Sequence, residues 1–445
     1  MKITVGNRSL EISPKKIYSV PKDIVAKKYA GFLILISPNN GNWIVLENQS
    51  QIEIFKLLMN GANVGKIFQS EELREDLYFV LRQIEGRNFE YKILADDNNF
   101  SLRLYLTNAC NLRCKHCFVY ATNAYADELS LTEIENLILT CNKHGAQKLI
   151  LTGGEVLLRK DFEQILRYGK SLKMYVQVLT NGTLWDAAKV KTLSPYIDEI
   201  QISLDGFNEN SNAKVRGVGV FEKVLEAVEL FFKYSKIFIN VIVTPMYGEL
   251  DAHYNEYVNF AKNLIARYGH ERFLIIFQGE LLNGRNLKAD SDSNKNLKNL
   301  VNLLHEDIYE NSELTNFILN HKNNRLHKNC GYGGLTVDST GNIFFCGRIG
   351  ELKNSGNIRK ISLEKILSLR KKIRQCTSVD NLFPCQNCEL KYVCGGGCRI
   401  NNFNEVVKIS ADDLTENLPL KMSNECTLKE NFYRLMIESI DYLLE

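Results

Sequence analysis

A chain of 445 residues is too long for one ordinary hydrophobic core, so its length predicts several domains. Its 45% hydrophobic and 24% charged residues are typical of a globular protein and exclude a largely disordered one. Because 55 basic residues face 52 acidic ones, the net charge of +3 gives no bulk attraction to nucleic acid or to a membrane.

The N-terminal stretch MKITVGNRSLEISPKK lacks the apolar core of a signal peptide, and the sequence has no apolar run of the roughly 18 residues that a membrane span requires. We therefore expect a cytoplasmic protein. In a reducing compartment, its 12 cysteines are better explained as metal ligands or reactive thiols than as disulfides.

Residues 1–97 are predicted to form a separate unit. GFLILIS and WIVLE, joined by the turn PNNGN, indicate a β-hairpin, and the two segments that follow carry apolar residues at helical spacing. This order predicts a winged helix. DNA is a common partner of such a domain, but the segment ANVGKIFQS between the helices has one lysine and no arginine, which argues against nucleic acid.

Residues 98–300 show apolar strands that alternate with amphipathic helices. This order predicts an α/β fold with a parallel sheet covered by helices, and six such units make a partial (β/α)6 barrel of the TIM type. Polar segments follow four of the strands, at the edge where parallel α/β proteins carry their chemistry. The strands we predict are LRLYLT, KLILTG, YVQVLTNG, EIQISLDG, IFINVIV and RFLIIF.

Residues 301–445 are predicted to comprise a linker helix, a cysteine-rich region and a C-terminal helix. The region between the helices is rich in glycine and short of long apolar periodicity, so we expect bound metals to stabilise it. Its cysteines are Cys330, Cys346, Cys376, Cys385, Cys388, Cys394, Cys398 and Cys426.

Three further cysteines, Cys110, Cys114 and Cys117, lie close together in CNLRCKHCF, on the loop that leaves the first barrel strand. Three thiolates at this spacing can hold three corners of a cubane iron–sulfur cluster and leave one iron without a protein ligand. A closed zinc site would need a fourth ligand. The nearest candidate, His116, lies between two of the thiols, where we expect it to be exposed to solvent.

CNLRCKHCF resembles the C-x3-C-x2-C motif of the radical S-adenosylmethionine (radical SAM) enzymes. The resemblance implies a [4Fe–4S] cluster whose open iron binds the amino and carboxylate groups of SAM, and cleavage of SAM to a 5′-deoxyadenosyl radical. TGGE is similar to the family's Gly-Gly-Glu motif, which implies that Gly153, Gly154 and Glu155 meet the SAM ammonium group. Glycines admit close backbone approach, and a carboxylate suits an ammonium. Val156 stands where the family usually has proline.

Two other segments and an arginine extend the resemblance. Asn181 in LTNG matches a region near the SAM ribose, and Ser203 and Asp205 in ISLDG match a motif that lines the ribose and the carboxylate. Arg216 matches an arginine that reaches the SAM carboxylate, a role suited to its planar guanidinium. As alternatives, the first two segments are ordinary turns and Arg216 is a surface residue. Cys141, on the apolar side of a helix, is expected in the core.

The C-terminal cysteines reproduce the spacing of the SPASM extension, which occurs on peptide-modifying radical SAM enzymes. The resemblance implies two auxiliary [4Fe–4S] clusters, and three clusters in all. Cys376 is left over; we expect it to complete the cluster of three cysteines, although an iron left open for a substrate thiolate is the alternative. Zinc knuckles are the other alternative for this region. The implied ligands are Cys330, Cys346 and Cys398 for one cluster, and Cys385, Cys388, Cys394 and Cys426 for the other.

The N-terminal unit resembles the recognition element of ribosomal-peptide maturases, in which the edge of a strand pairs with an extended leader peptide. Together these resemblances imply an enzyme that cross-links a ribosomally made precursor peptide. A thioether is the preferred product, and a carbon–carbon or carbon–oxygen bond is the alternative. The implied partners are the precursor peptide and a flavodoxin- or ferredoxin-like electron donor.

Two other functions remain open at the level of the sequence. One is a sulfatase-type maturase that makes formylglycine, which we rank lower because such enzymes carry an acid where this chain has Gly347. The other is a non-catalytic iron–sulfur electron carrier or peptide-binding scaffold. No residue of the sequence identifies a general base.

Overall fold

The computed structural model of the chain describes residues 1–69, 71–90, 100–321, 326–403, 420–423 and 425–444. The predicted domain boundary at residue 97 lies outside these ranges. None of the described helices has the length and hydrophobicity needed to cross a membrane.

The N-terminal unit contains two small antiparallel sheets and three helices. The predicted hairpin forms the second and third strands of a three-stranded sheet, and the predicted helices follow it. The strands are β1 (Lys2–Val5), β2 (Arg8–Glu11), β3 (Val25–Tyr29), β4 (Phe32–Ile36) and β5 (Trp43–Leu46), and the helices are α1 (Gln49–Met59), α2 (Val64–Ile67) and α3 (Arg74–Gly86).

Both faces of the sheet formed by β3, β4 and β5 are covered. On one face, Leu35 and Ile44 pack with apolar residues of α1 and α3. On the other face, Ile34, Trp43 and Val45 pack with apolar residues from the C-terminal part of the chain. The N-terminal unit is therefore attached to the rest of the molecule through one face of its sheet.

The central region forms the partial barrel that the sequence predicts. Its six predicted strands are all present and pair in parallel in chain order, each strand next to the one that follows it. The strands are β6 (Phe100–Tyr105), β7 (Ala146–Thr152), β8 (Tyr175–Thr180), β9 (Glu199–Leu204), β10 (Phe238–Val243) and β11 (Phe273–Phe277). The helices are α4 (Leu131–Lys143), α5 (Phe162–Ser171), α6 (Ala187–Leu193), α7 (Glu209–Arg216), α8 (Val220–Tyr234), α9 (Tyr247–Ala252) and α10 (Tyr254–Tyr268).

Helix α4 illustrates why these segments fold as predicted. It begins with a capping box in which Ser130 and Glu133 bond to each other's backbone N–H groups. Its apolar residues recur at helical spacing and are buried against the sheet. Cys141 belongs to this buried set and is fully inaccessible to solvent, so its predicted place in the core is confirmed.

Helices α11 (Ser291–Tyr309) and α12 (Ser312–His321) follow the barrel. Side chains of α11 cover the outer edge of β11, because the Tyr309 hydroxyl bonds to the backbone of Ile275 and His305 Nε2 accepts the N–H of Phe277 at 3.0 Å. The helix thus protects an edge that would otherwise be free to pair with another strand.

The cysteine-rich region extends the barrel sheet at the opposite end. A strand of three residues pairs in parallel with β6, and a strand of two residues pairs with it in turn, so that the described sheet has eight strands. The sequence analysis missed this pairing, because so short a strand has no readable periodicity. The elements are β12 (Leu335–Val337), β13 (Ile343–Phe344), α13 (Leu363–Cys376), β14 (Leu382–Phe383), α14 (Lys391–Cys394), α15 (Arg399–Asn402), β15 (Leu420–Lys421) and α16 (Lys429–Leu443).

Candidate active site

A cavity of about 310 Å³ opens at the carboxyl ends of the barrel strands. The three cysteines of the first loop line it, together with the ends of β6, β7, β8 and β9. Glu155 and Asp205 are the two predicted residues of this site that do not line it. The predicted residues that do are Cys110, Cys114, Cys117, Gly153, Gly154, Asn181, Ser203 and Arg216.

The three thiols of the first loop are close enough to influence one another's ionisation. Burial raises the pKa of Cys110 and of Cys114, while the positive charge of Arg216 opposes the rise at Cys114. The Arg216 guanidinium lies 4.0 Å from the Cys114 sulfur. A buried cation next to thiols that must lose their protons to bind a metal favours metal binding.

The glycines of TGGE bring the end of β7 against this loop. Gly153 has a positive φ of 148°, and Gly154 donates its N–H to the Thr107 carbonyl at 2.8 Å. A Cβ atom on Gly154 would lie 2.7 Å from the carbonyl carbon of Ala109, so no larger residue fits there. These glycines therefore position the cysteine loop as well as opening the cavity wall.

Glu155 faces β8 rather than the cavity. Its carboxylate is buried and accepts hydrogen bonds from the Thr180 hydroxyl and from the N–H of Asn181, both at 2.8 Å. Burial raises the pKa of Glu155, while these hydrogen bonds oppose the rise. In this structure Glu155 therefore joins β7 to β8, and its contact with SAM stays a prediction.

Asp205 is likewise buried, and it holds two side chains that line the cavity. Its Oδ2 atom lies 2.6 Å from Arg216 Nε and 2.8 Å from His116 Nε2. Burial opposes ionisation, but the charges of Arg216 and His116 lower the pKa of Asp205 to about 2. The expectation that His116 is exposed is wrong: its side chain is 15% exposed, because Asp205 draws it into the protein.

Asn181 is fixed by both the cysteine loop and its own turn. Its amide donates to Asn111 Oδ1 at 2.9 Å and accepts the N–H of Thr183, also at 2.9 Å. Asn111, inside the cysteine motif, therefore positions the loop, a role that the sequence analysis did not assign. Ser203 lines the cavity from β9, beside Gln201.

The remaining cysteines fall into two groups through the interactions of their thiols. Cys330 hydrogen-bonds Cys398, which lowers the pKa of Cys330, and Cys398 also influences Cys346. The second group, whose members influence one another, contains Cys385, Cys388, Cys394 and Cys426. These are the two sets that the resemblance implied. Cluster binding itself stays a prediction.

Cys376 ends helix α13 and is buried in the barrel core. The carbonyl of the next residue, Thr377, accepts a hydrogen bond from Asn329, which directly precedes Cys330. Cys376 thus lies in a segment that packs against the first auxiliary group.

Groups of three, three and four thiols suit iron–sulfur clusters, which are held by cysteine sulfur. Among the residues that the structure describes, no three His, Cys, Asp or Glu side chains converge on a point where a single metal ion could sit. Within each group, the thiols therefore lie close enough to influence one another but do not converge on a single metal ion.

Tyr105 connects the first loop with the auxiliary group. Its hydroxyl donates to the Gly347 carbonyl at 2.8 Å and hydrogen-bonds Arg103. Burial raises the pKa of Tyr105 to about 12, and both Cys117 and Cys346 are near enough to contribute. The inner face of β6 therefore lies between two groups of thiols.

Comparisons with known proteins agree with this architecture. Residues 104–261 match the Radical SAM superfamily. The AdoMet-dependent heme synthase of Methanosarcina barkeri is 29% identical over 325 residues, which cover 66% of this chain and 89% of that protein. The sporulation killing factor maturation protein SkfB of Bacillus subtilis is 36% identical over 157 residues, 34% of this chain and 37% of SkfB.

A solved structure, native anSMEcpe with bound AdoMet and Cp18Cys peptide, shares the fold. It superposes with a TM-score of 0.55 at 19% identity, over 78% of this chain and 99% of that one.

Proposed function

This protein is a radical SAM enzyme with its radical SAM domain over residues 104–261, and we propose that it matures a ribosomally made precursor peptide by installing a cross-link. The observation that carries the proposal is an open strand edge, on β3, in a unit that packs against the cysteine-rich region. SkfB, named as a maturation protein, supports the same class of substrate.

The two edges of the N-terminal sheet differ in a way that suits peptide binding. At the β5 edge, the Gln83 side chain bonds to both the N–H and the carbonyl of Val45, at 2.7 and 2.8 Å. At the β3 edge, no other described strand is paired. A groove of about 450 Å³ lies at the end of the sheet where β3 turns into β4, and its lining includes Tyr29 of β3 as well as Phe32 and Leu46. An extended leader peptide can add to β3 and place side chains in this groove.

In the barrel, we propose that Cys110, Cys114 and Cys117 hold the cluster that binds SAM. When bound, SAM and this cluster supply a carbon radical that removes a hydrogen atom from the substrate. The backbone at Gly153 and Gly154 and the side chains of Asn181, Ser203 and Arg216 would contact SAM. These five residues line the cavity together with the three cysteines. Glu155 and Asp205 position them from behind the wall.

We propose that the other two groups of thiols hold the auxiliary clusters, with Cys376 as the fourth ligand of the first. These clusters would accept the electron that leaves when a substrate radical becomes a closed-shell product. A flavodoxin- or ferredoxin-like protein would supply the electron that cleaves SAM. The preferred product is a thioether, which would join a cysteine sulfur to a carbon of the same peptide.

The test is to incubate the reconstituted enzyme, SAM and a reductant with the precursor peptide encoded beside the gene. A cross-link removes two hydrogen atoms, which mass spectrometry detects, and a thioether also removes one thiol from alkylation. Ala26→Pro, on the open strand edge, should reduce peptide conversion but leave 5′-deoxyadenosine formation intact, since proline blocks strand pairing. An unchanged peptide mass despite SAM cleavage would contradict the proposal.

A second candidate is the modification of a tetrapyrrole. It is favoured by the named heme synthase, which aligns over 89% of its own length. Running the same assay with an iron tetrapyrrole in place of the peptide separates the two candidates. Conversion of the tetrapyrrole alone would favour the second.

A further inference from the structure

We propose that Arg103 binds a carboxylate of the substrate inside the barrel, and that Gly347 gives its guanidinium the room to do so. The proposal rests on the proposed function for the source of that carboxylate, which is the side chain of an aspartate or glutamate in the precursor peptide. It names a group that the reacting segment of the peptide must carry.

The position of Arg103 follows from the alternation of β6. Leu102 and Leu104 point into the core between the sheet and its helices, so Arg103 and Tyr105 point to the inside of the barrel. Both line the same cavity as the three cysteines of the first loop. An arginine on this face therefore presents its charge to whatever occupies the cavity.

Gly347 fixes where that charge lies. A Cβ atom at this position would be 2.7 Å from Arg103 Cζ and 2.8 Å from its Nε, so any other residue would displace the guanidinium. The guanidinium also hydrogen-bonds the Tyr105 hydroxyl, which in turn donates to the Gly347 carbonyl. The side chain is thus held against one wall by contacts that use only part of its five N–H donors.

Arg103 differs from the other arginine of the cavity in its charge partners. Arg216 forms an ion pair with the buried Asp205. The described residues that line the cavity include no aspartate and no glutamate, so nothing there supplies the same partner for Arg103. The thiol of Cys346 is near enough for Arg103 to lower its pKa, which burial raises.

A partly buried guanidinium without a carboxylate is a binding element for one, because its planar fork matches the two oxygens. Binding the substrate in this way would hold a chosen carbon close to the radical and restrict its motion. Two other sources of negative charge are the carboxylate of SAM and the cluster held by Cys346. The experiment has to separate all three.

The test measures how fast p-hydroxyphenylglyoxal, an arginine reagent, modifies Arg103 in the cluster-loaded enzyme. Peptide mapping reports Arg103 separately, and the exposed Arg267 serves as the internal reference. The probes are the α-amide of N-acetylglutamate and the matching glutamine compound, each added with and without SAM. Modification before any turnover makes the result independent of peptide conversion.

We expect the glutamate probe to protect Arg103 at about ten- to hundredfold lower concentration than the glutamine probe, in the presence of SAM. Equal protection by the two probes would overturn the proposal. Protection by SAM alone would assign Arg103 to the SAM carboxylate. Absence of protection by either probe, with slow modification throughout, would assign it to the Cys346 cluster.

Gly347→Ala should abolish the preference for the glutamate probe, because the added methyl displaces the guanidinium. The matched control is Gly248→Ala, since a Cβ atom at Gly248 meets nothing within 4 Å. A Gly347→Ala enzyme that keeps the preference would contradict the role given to Gly347.

The last test changes the precursor peptide instead of the enzyme. Changing the critical acid of the precursor to its amide should raise KM with the wild-type enzyme and have little effect with Arg103→Gln. If no precursor peptide is converted at all, the proposed function fails, while the protection result still decides whether Arg103 is a carboxylate site.

Discussion

The loop that carries Cys110, Cys114 and Cys117 leaves a strand of six residues, whereas Cys385, Cys388, Cys394 and Cys398 lie among a 3₁₀ turn and two helices of four residues each. The first loop is placed by the barrel, whose long strands and helices share one continuous core. The second region also contributes to this core, through Leu382, Ile400 and Phe403 among others, but its elements are short, and three consecutive glycines with positive φ, Gly395 to Gly397, run through it. Regular structure positions the first site, and we infer that bound metal organises the second.

Buried arginines show the same difference. In the barrel, Arg216 is neutralised by Asp205. In the cysteine-rich region, the side chain of the fully buried Arg399 donates to three backbone carbonyls, among them Thr377 at 2.8 Å. Burial lowers the pKa of Arg399, and the thiols of Cys330 and Cys385 oppose this. A buried cation needs a counter-charge, and the thiolates of the proposed auxiliary clusters would provide one for Arg399.

The largest effect should come from removing iron anaerobically with a chelator. Residues 326–403 and 425–444 should exchange amide hydrogens at least about a hundredfold faster, because metal binding and folding are coupled there. Strands β6 to β11 should keep their protection. Hydrogen exchange measured by mass spectrometry reports on both regions in one sample. An equal loss of protection in the two regions would mean that metal does not organise the second region more than the first.

Asp205→Asn should have the next largest effect, since it leaves the Arg216 charge buried and unpaired. We expect a loss of about 3–5 kcal/mol in the free energy of unfolding of the barrel, measured by anaerobic urea denaturation. Glu163→Gln is the control, because Glu163 pairs with Arg167 on the surface and should cost about 1 kcal/mol or less. Similar losses for both variants would mean that Asp205 does not anchor the site.

Cys376→Ser and Cys141→Ser form a matched pair in the comparison, because both thiols are buried in the barrel core. Each substitution places a hydroxyl in an apolar site, at a cost of about 1–3 kcal/mol. Cys376→Ser should in addition lower the iron content and change the electron paramagnetic resonance spectrum of the reduced enzyme. An unchanged iron content in Cys376→Ser would favour the alternative, in which one iron of the cluster is left open for a substrate thiolate.

What the sequence could predict follows from how local each signal is. Strands β6 to β11 were readable because each is an apolar run bounded by turns. The pairing of β12 with β6 was not, since the register joins Leu335 to Leu102, far apart in the chain. For the same reason the burial of His116 could not be read: its partner Asp205 lies 89 residues away.

The residues of the candidate site divide in the same way. The thiol groups and the glycines follow from motif spacing, whereas the roles of Glu155 and Asp205 depend on which way each carboxylate points. Arg103 lies in LRLYLT, which the sequence predicts as one of the apolar strands. Its alternation places a charged residue on the inner face of the barrel, and that signal was available.

The smallest effect concerns pH, and in the barrel it depends on His305. His305 accepts the N–H of Phe277 through Nε2, which only a neutral imidazole can do, and burial lowers the pKa of His305 below its usual value of about 6.5. Below that pH the unfolded chain binds more protons than the folded one, so the free energy of unfolding falls, by at most about 1.4 kcal/mol per pH unit.

His305→Gln keeps an oxygen that can accept the Phe277 N–H but cannot titrate, so it should flatten this part of the profile between pH 7.5 and 5.5. His144→Gln is the control, because His144 is exposed at the end of α4. Urea denaturation of the barrel at several pH values measures the slopes. If His305→Gln retains the wild-type slope, the stability of the barrel does not depend on a neutral imidazole at the edge of β11.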